Sequence, residues 1–164
     1  MKHIKLLIID VDGTLTDGKI YMGENDEIMK AFDVKDGYGI AHILPKLDIV
    51  PVIITGRESI IVTNRAAEIG VSEIYQGVIG KLNTLKIVVE KYRCNPENLA
   101  YIGDDINDMP CMEYCGLTAC PADGHKVIKQ YVDYICEKNG GNGAVREFID
   151  YIEEQYEASP NTFD

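Results

Sequence analysis

The sequence has few basic residues and no long apolar run, and both shortages limit what the protein can bind. Among its 164 residues, Lys and Arg count 16 against 27 Asp and Glu, so the formal net charge is −11. Such a surface repels nucleic acid and anionic membranes, and we expect neither as a partner. No segment approaches the roughly 20 apolar residues that a membrane-spanning helix needs. The short apolar run at 4–9 lacks the longer apolar region and the cleavage site of a secretory signal.

Cysteine is also too sparse and too irregular to build a framework. The five cysteines are odd in number and form no Cys-x-x-Cys pair. This argues against both a disulfide scaffold and a cysteine-rich zinc site. Because reduced thiols are typical of the cytoplasm, we predict a cytoplasmic protein.

Apolar runs of strand length alternate with stretches of helical periodicity along the chain. This order predicts one α/β domain over residues 1–164, a Rossmann-like three-layer sandwich with a central, mostly parallel sheet. The expected strands lie at 4–9, 49–54, 73–76, 99–102, 117–120 and 134–136. The expected helices lie at 58–69, at 81–92 and from 144 to about 156, and the polar residues at about 157–164 predict a flexible tail.

One segment, at about 18–33, departs from this alternation. Two extended runs, 19–22 and 27–32, flank the turn-forming residues Gly23-Glu24-Asn25-Asp26, which predicts an inserted β-hairpin. A hairpin alone is only marginally stable in water. We therefore expect its apolar side chains to pack on another surface, such as a second subunit; they are Ile20, Tyr21, Met22, Ile28 and Phe32.

The residues at the predicted carboxyl ends of the strands are polar. Ligands of open parallel sheets bind at that edge. Asp10 and Asp12 follow the first strand, Thr55 follows the second, and Asp104 and Asp105 follow a later one, while Lys81 opens a helix close behind. Together these residues indicate a catalytic site more strongly than any one of them does.

The segment Asp10-Val11-Asp12-Gly13-Thr14 carries two carboxylates two residues apart, with a bend at Gly13. Both can face one pocket, where one could attack phosphorus and the other could protonate the leaving oxygen. Repulsion between them would raise the pKa of one, which suits an acid near neutral pH. The alternative is a solvated, Asx-rich turn.

The segment Gly103-Asp104-Asp105-Ile106-Asn107-Asp108 places three acids within five residues. They repel one another unless a cation lies among them, and hard oxygen ligands suit Mg²⁺, with Asp104 on the metal and Asp105 and Asp108 in support. The metal would also offset the repulsion between an acidic protein and a phosphate ester. Helix N-capping by Asp105 or Asn107 is the alternative, and both can hold together.

Thr55 and Gly56 offer a hydroxyl and a backbone N–H to phosphate oxygens. Lys81 offers a positive charge that would stabilise the transferring phosphoryl group and the attacking aspartate. Taken alone, a Thr-Gly pair is more often a turn, and a lysine is more often a solvated charge.

These four segments, in this order, resemble the motifs of the haloacid dehalogenase superfamily, and the resemblance covers nearly the whole chain. It implies that Asp10 forms an aspartyl-phosphate and that Asp12 acts as general acid and then as base. It also implies Mg²⁺ held by the Asp10 carboxylate, the Asp12 backbone carbonyl and Asp104. Because the chain leaves no room for a cap domain, the comparison is with capless members.

The segments 32–40, 54–57, 75–77 and 140–147 resemble the 3-deoxy-D-manno-octulosonate 8-phosphate phosphatases within that superfamily. The resemblance implies hydrolysis of a sugar-acid phosphate for lipopolysaccharide biosynthesis. It also implies a homotetramer in which the hairpins form a central barrel, active sites are shared between subunits, and the Gly-rich run at 140–143 can fold over the site.

By the same resemblance, four cationic side chains would line the pocket for the sugar acid. They are Arg57, Arg65, Lys35 from a neighbouring subunit, and Arg146. Guanidinium groups bind carboxylates in a bidentate way, which suits this role. The alternatives are ion pairs within one helix, between Arg65 and Glu68 and between Arg146 and an acid near it.

Three other functions remain open from the sequence. One is a phosphatase acting on a nine-carbon sialic-type acid 9-phosphate, although the base Arg57 after Thr55-Gly56 resembles the eight-carbon class. A second is a phosphoryl-accepting signalling domain, which would carry its phosphorylated Asp after the third strand instead of the first. The third is an inactive assembly module, and the four intact motifs argue against it.

Overall fold

The computed structural model describes residues 3–158, and its centre is a six-stranded parallel sheet. The strands of the chain are β1 (Leu6–Ile9), β2 (Tyr21–Met22), β3 (Glu27–Met29), β4 (Val50–Ile54), β5 (Glu73–Tyr75), β6 (Leu99–Ile102), β7 (Leu117–Cys120) and β8 (Tyr134–Ile135). The order in the sheet is β5-β4-β1-β6-β7-β8, and each neighbouring pair is parallel. The strand that precedes Asp10 therefore lies in the interior of the sheet, between β4 and β6.

Helices cover both faces of this sheet. They are α1 (Val34–Tyr38), α2 (Ile60–Glu68), α3 (Lys81–Tyr92), α4 (Met109–Met112) and α5 (Ala144–Ala158). Side chains of β1 point alternately to the two faces: Leu7 and Ile9 pack with α2 and α5, whereas Leu6 and Ile8 pack with α3 and α4. The predicted three-layer α/β sandwich is confirmed. No helix within residues 3–158 is long and apolar enough to cross a membrane.

The inserted segment forms a two-stranded antiparallel hairpin, in which β2 pairs with β3. Both strands are shorter than the sequence predicts, because residues 19–20 and 30–32 lie outside them; the ammonium of Lys30 turns inward to Asp12. A bridge between Thr16 and Phe32 closes the base of the insert. Four apolar side chains of the hairpin are exposed in the single chain: Ile20, Met22, Ile28 and Met29.

Two helix boundaries differ from those predicted. Helix α2 begins at Ile60 rather than at residue 58, because Ser59 is extended and its N–H donates to Gln76 Oε1 at 2.9 Å. Helix α5 continues to Ala158, so the first two residues of the predicted flexible tail, Glu157 and Ala158, are helical. The rest of that predicted tail, 159–164, lies outside the described residues.

The Gly-rich run before α5 packs against the loop that follows β1. A Cβ added to Gly140 would lie 1.9 Å from the carbonyl oxygen of Gly13, so only glycine permits this approach. The N–H of Gly141 donates to the carbonyl of Thr14 at 3.0 Å. In this structure the run is thus part of the wall behind the Asp10 loop.

Asp36 of α1 binds the start of α5 from the side. Its Oδ1 accepts the N–H of Arg146 at 2.8 Å, while its Oδ2 is buried and has no hydrogen-bond partner among residues 3–158. Helix N-termini carry unpaired N–H groups and partial positive charge, which explains a carboxylate at this place. Burial nevertheless raises the pKa of Asp36 to about 6.

Candidate active site

The loop after β1 carries the first two predicted site residues. Asp10 is buried at the carboxyl end of the strand, and its N–H donates to the carbonyl of Ile102 at 3.1 Å. The chain then turns at Gly13, whose φ of 95° suits glycine. A Cβ on Gly13 would lie 2.2 Å from Asp104 Oδ2, so the glycine also lets the β1 and β6 loops approach each other.

Lys81 links the nucleophile candidate to a second carboxylate. Its Nζ lies 2.6 Å from Asp10 Oδ1 and 2.7 Å from Asp108 Oδ1, and only 4% of its side chain is exposed. Burial by itself would lower the pKa of Lys81, but the charges of Asp10 and Asp108 outweigh burial and raise it. The ammonium is therefore held in its charged form beside Asp10.

Asp108 is fully buried, and four donors surround its carboxylate. Its Oδ1 accepts from Lys81 and from the Tyr101 hydroxyl, each at 2.7 Å. Its Oδ2 accepts the backbone N–H groups of Asp104 and Asp105 at 3.1 and 3.3 Å. Asp108 thus orients both Lys81 and the loop after β6.

The carboxylates of Asp10, Asp104 and Asp108 converge on one place, with a ligand oxygen of each within 4.8 Å of the others. Burial, and next to it the charge of Asp108, raises the pKa of Asp104 to about 6 and the pKa of Asp10 well above its ordinary value. The negative charges of these clustered carboxylates repel one another, and a divalent cation that binds hard oxygen ligands would offset that repulsion. The residues therefore fit Mg²⁺.

A pocket of about 190 Å³ opens above this cluster. Thr55 is buried at the end of β4, and its N–H donates to the carbonyl of Tyr75 at 2.9 Å. The structure brings most of the predicted site residues together as the lining of the pocket: Asp10, Asp12, Thr55, Gly56, Arg57, Asp104 and Asp105. Asn107, predicted only as a possible helix cap, lines it as well. Lys81 and Asp108 lie directly behind Asp10.

Sequence reasoning missed two residues of the hairpin that reach this site. The ammonium of Lys30 contacts Asp12 Oδ1 and lies 2.9 Å from Glu27 Oε1. Arg57 approaches the same two acids, with Nε 3.8 Å from Asp12 Oδ2 and Nη2 3.7 Å from Glu27 Oε1. A lysine and a glutamate in a short hairpin carry no sequence signal for such a contact, because similar charges are common on solvated edge strands.

Three predicted substrate-binding residues lie outside the pocket in the single chain. Arg65 pairs with Glu68 at 2.8 Å, and its guanidinium lies 5.8 Å from the centre of the Phe32 ring. Arg146 pairs with Asp150 at 2.7 Å. Lys35 is exposed and lines, with Arg146, a separate open groove of about 700 Å³.

Comparison with known proteins places this site in a family. Residues 53–149 match the family model described as haloacid dehalogenase-like hydrolase. The 3-deoxy-D-manno-octulosonate 8-phosphate phosphatase of Escherichia coli strain K12 is 48% identical over 151 residues, which cover 92% of this chain and 80% of that protein. The chain belongs to the haloacid dehalogenase-like hydrolases. The superfamily that the four motifs predicted is thereby confirmed.

Solved structures of related hydrolases share the whole fold. The 3-deoxy-D-manno-octulosonate 8-phosphate phosphatase of Yersinia pestis has a TM-score of 0.89 at 43% identity, covering 94% of this chain and 85% of its own. The enzyme of that name from Moraxella catarrhalis has a TM-score of 0.89 at 41% identity, covering 93% and 87%, and it was crystallised with a magnesium ion, a phosphate ion and KDO.

Proposed function

We propose that this hydrolase cleaves 3-deoxy-D-manno-octulosonate 8-phosphate to 3-deoxy-D-manno-octulosonate and phosphate. The observation that carries the proposal is the buried Asp10 carboxylate at the floor of a pocket, 2.6 Å from the ammonium of Lys81. The identity of 48% to a phosphatase of that name supports the choice of substrate. The product would serve lipopolysaccharide biosynthesis.

In the first step, an oxygen of Asp10 attacks phosphorus, and the bond from phosphorus to the sugar oxygen breaks. Asp12 gives a proton to that oxygen, so the sugar leaves as an alcohol and an aspartyl-phosphate remains. In the second step, Asp12 takes a proton from water, and the water oxygen attacks the same phosphorus. The bond from phosphorus to Asp10 then breaks, which restores the carboxylate and releases phosphate.

The other residues of the pocket would bind the phosphoryl group. Lys81 neutralises charge at Asp10, and Thr55 and Gly56 offer donors to the phosphoryl oxygens. Mg²⁺ would be held by the Asp10 carboxylate, the Asp12 backbone carbonyl and Asp104, where it would offset the negative charge of the ester. Asp108 would support these metal ligands by accepting hydrogen bonds from its four donors, without binding the metal itself. Asp105 caps the short helix that follows it.

Recognition of the sugar acid is assigned to four cationic side chains, Arg57, Arg65, Lys35 and Arg146. Only Arg57 reaches the pocket from its own chain, so the proposal includes a homotetramer in which Lys35 of a neighbouring subunit completes the site. The exposed apolar hairpin supports this assembly, because Met22 and Ile28 are 60% and 68% exposed in the single chain. A cytoplasmic location agrees with the five free thiols.

Phosphate release from the eight-carbon and nine-carbon sugar-acid phosphates, with and without Mg²⁺, tests the activity. We expect Mg²⁺-dependent release with a preference for the eight-carbon ester, loss of release in Asp10→Asn, and normal release in the exposed control Asp26→Asn. Preference for the nine-carbon ester would overturn the substrate, and full activity of Asp10→Asn would overturn the nucleophile. Absence of release from every ester would favour a signalling or assembly role.

Light scattering tests the assembly. The double variant Ile20→Asp, Ile28→Asp should be monomeric and of low activity, because both side chains lie on the exposed hairpin. A wild-type protein that is monomeric and fully active would contradict the shared site.

A further inference from the structure

Lys30 is a buried lysine that the mechanism above does not use. It follows β3 in the hairpin, and only 1% of its side chain is exposed. A buried ammonium is costly unless it is paired and hydrogen-bonded. Lys30 has two carboxylate partners, Asp12 and Glu27, and through Asp12 it joins the hairpin to the loop after β1.

Glu27 is the second carboxylate beside the ammonium of Lys30. Its side chain is 5% exposed, and its Oε2 accepts the Ser59 hydroxyl at 2.7 Å. Burial by itself would raise the pKa of Glu27, but the hydrogen bond from Ser59 and the charge of Lys30 outweigh burial and lower it. Because Ser59 is also bound to Gln76 through its N–H, this pair is anchored to the segment between β4 and α2.

The two oxygens of Asp12 are not equivalent in this arrangement. Oδ1 contacts the buried ammonium of Lys30, on the side of the hairpin. Oδ2 lies toward Arg57, at 3.8 Å from its Nε, and both Asp12 and Arg57 line the pocket above Asp10. The ion pair with Lys30 thus leaves one oxygen of Asp12 directed to the place where the ester would bind.

We propose that Lys30 is a positioning residue, which holds the Asp12 side chain in the rotamer that serves the leaving oxygen of the substrate. Lys30 touches neither the substrate nor the phosphoryl group, and it acts only through Asp12. The inference rests on the proposed function, because it requires that Asp12 exchange a proton with the ester oxygen. It adds a second role for the hairpin, which exposes apolar side chains and also holds the side chain of Asp12 through Lys30.

The leaving group provides the test, because a poor leaving group needs its proton more than a good one does. We compare kcat/KM, which includes only the steps up to transfer of phosphorus to Asp10, for the sugar-acid 8-phosphate and for 4-nitrophenyl phosphate. Lys30→Met should lower kcat/KM about 100-fold for the alkyl ester, in the range of general acid catalysis. For the aryl ester the loss should stay below about 5-fold, since that leaving group departs without a full proton.

Controls separate positioning from folding. Lys30→Arg keeps the charge and should recover part of the activity on the alkyl ester. Lys19→Met, in the same insert but with 73% of its side chain exposed, should match the wild type on both esters. The double variant Lys30→Met, Glu27→Gln removes the buried charge of Glu27, which the single variant would leave with only the Ser59 hydroxyl and Arg57, 3.7 Å away, as partners. It should show the same difference between esters.

The possible results are distinguishable from one another. Equal losses on both esters in a folded Lys30→Met protein, or no loss on either, would overturn the positioning role. Failure of both the single and the double variant to fold would assign Lys30 to stability instead. A wild type that hydrolyses neither ester would refute the proposed function itself, which is a different outcome from any of these.

Discussion

Replacing Asp36 with asparagine should remove a pH dependence of stability that the wild-type protein carries. The carboxyl group is buried between α1 and α5, where its Oδ1 accepts the N–H of Arg146. Its Oδ2 has no hydrogen-bond partner among the described residues. Burial raises its pKa from 3.8 to about 6, so ionisation of this group is easier in the unfolded chain than in the folded one.

Because the pKa of Asp36 is raised on folding, this group should make the protein less stable as the pH rises. The contribution of Asp36 to stability is fully present below the unfolded pKa of 3.8 and is lost as the pH rises through the folded pKa of about 6. A difference of about 2 units corresponds to about 3 kcal/mol at neutral pH. Between about pH 5 and about pH 7.5, the wild type should therefore lose about 1.5 kcal/mol that Asp36→Asn does not lose.

Urea unfolding of both proteins at the two pH values measures this effect. The amide introduced by Asp36→Asn brings its own cost at this buried place, but that cost is the same at both pH values. It therefore cancels when the two stability differences are compared. An NMR titration of the Asp36 carboxyl carbon gives the folded pKa directly. A stability difference between the proteins that does not change with pH would refute the reasoning.

Three further predictions concern the site and its surroundings. Lys81→Met should cost about 3 kcal/mol of unfolding free energy and most of the turnover, because it leaves two buried carboxylates without their cation; thermal unfolding and phosphate release measure both. Gly140→Ala should lower the melting temperature and the activity together, because its Cβ would displace the Gly13 carbonyl; calorimetry beside the activity assay tests this. Removal of divalent cations by a chelator should abolish phosphate release, and added Mg²⁺ should restore it; activity that persists without metal would contradict the Mg²⁺ site.

The part of the site that sequence could predict is the part that local patterns define. Apolar runs locate the strands, and the carboxyl ends of parallel strands share one edge, so the pattern alone is enough to bring Asp10, Thr55 and Asp104 together. Lys81 could be assigned to the same site because it opens the helix next to that edge. For the same reason the fold class was predictable from the alternation of strands and helices.

The rest depends on contacts that no local pattern records. Lys30 meets Asp12 only because the hairpin folds back over the β1 loop, and a lysine beside a short strand usually remains in solvent. Tyr101 occupies an ordinary strand position, and its link to the site is the hydrogen bond that its hydroxyl donates to Asp108. Arg65 and Arg146 came from resemblance to a family, and in the single chain each is paired with an acid on its own helix.

The close approach of Gly140 to Gly13 has a consequence for the newly made protein. The loop that carries Asp10 leaves the ribosome before the backbone that packs against it, because Gly140 follows far along the chain. Contacts between such distant segments cannot form until both are present. A nascent chain therefore displays Asp10 before the wall behind its loop exists, and that loop can take its final packing only when synthesis has passed the start of α5.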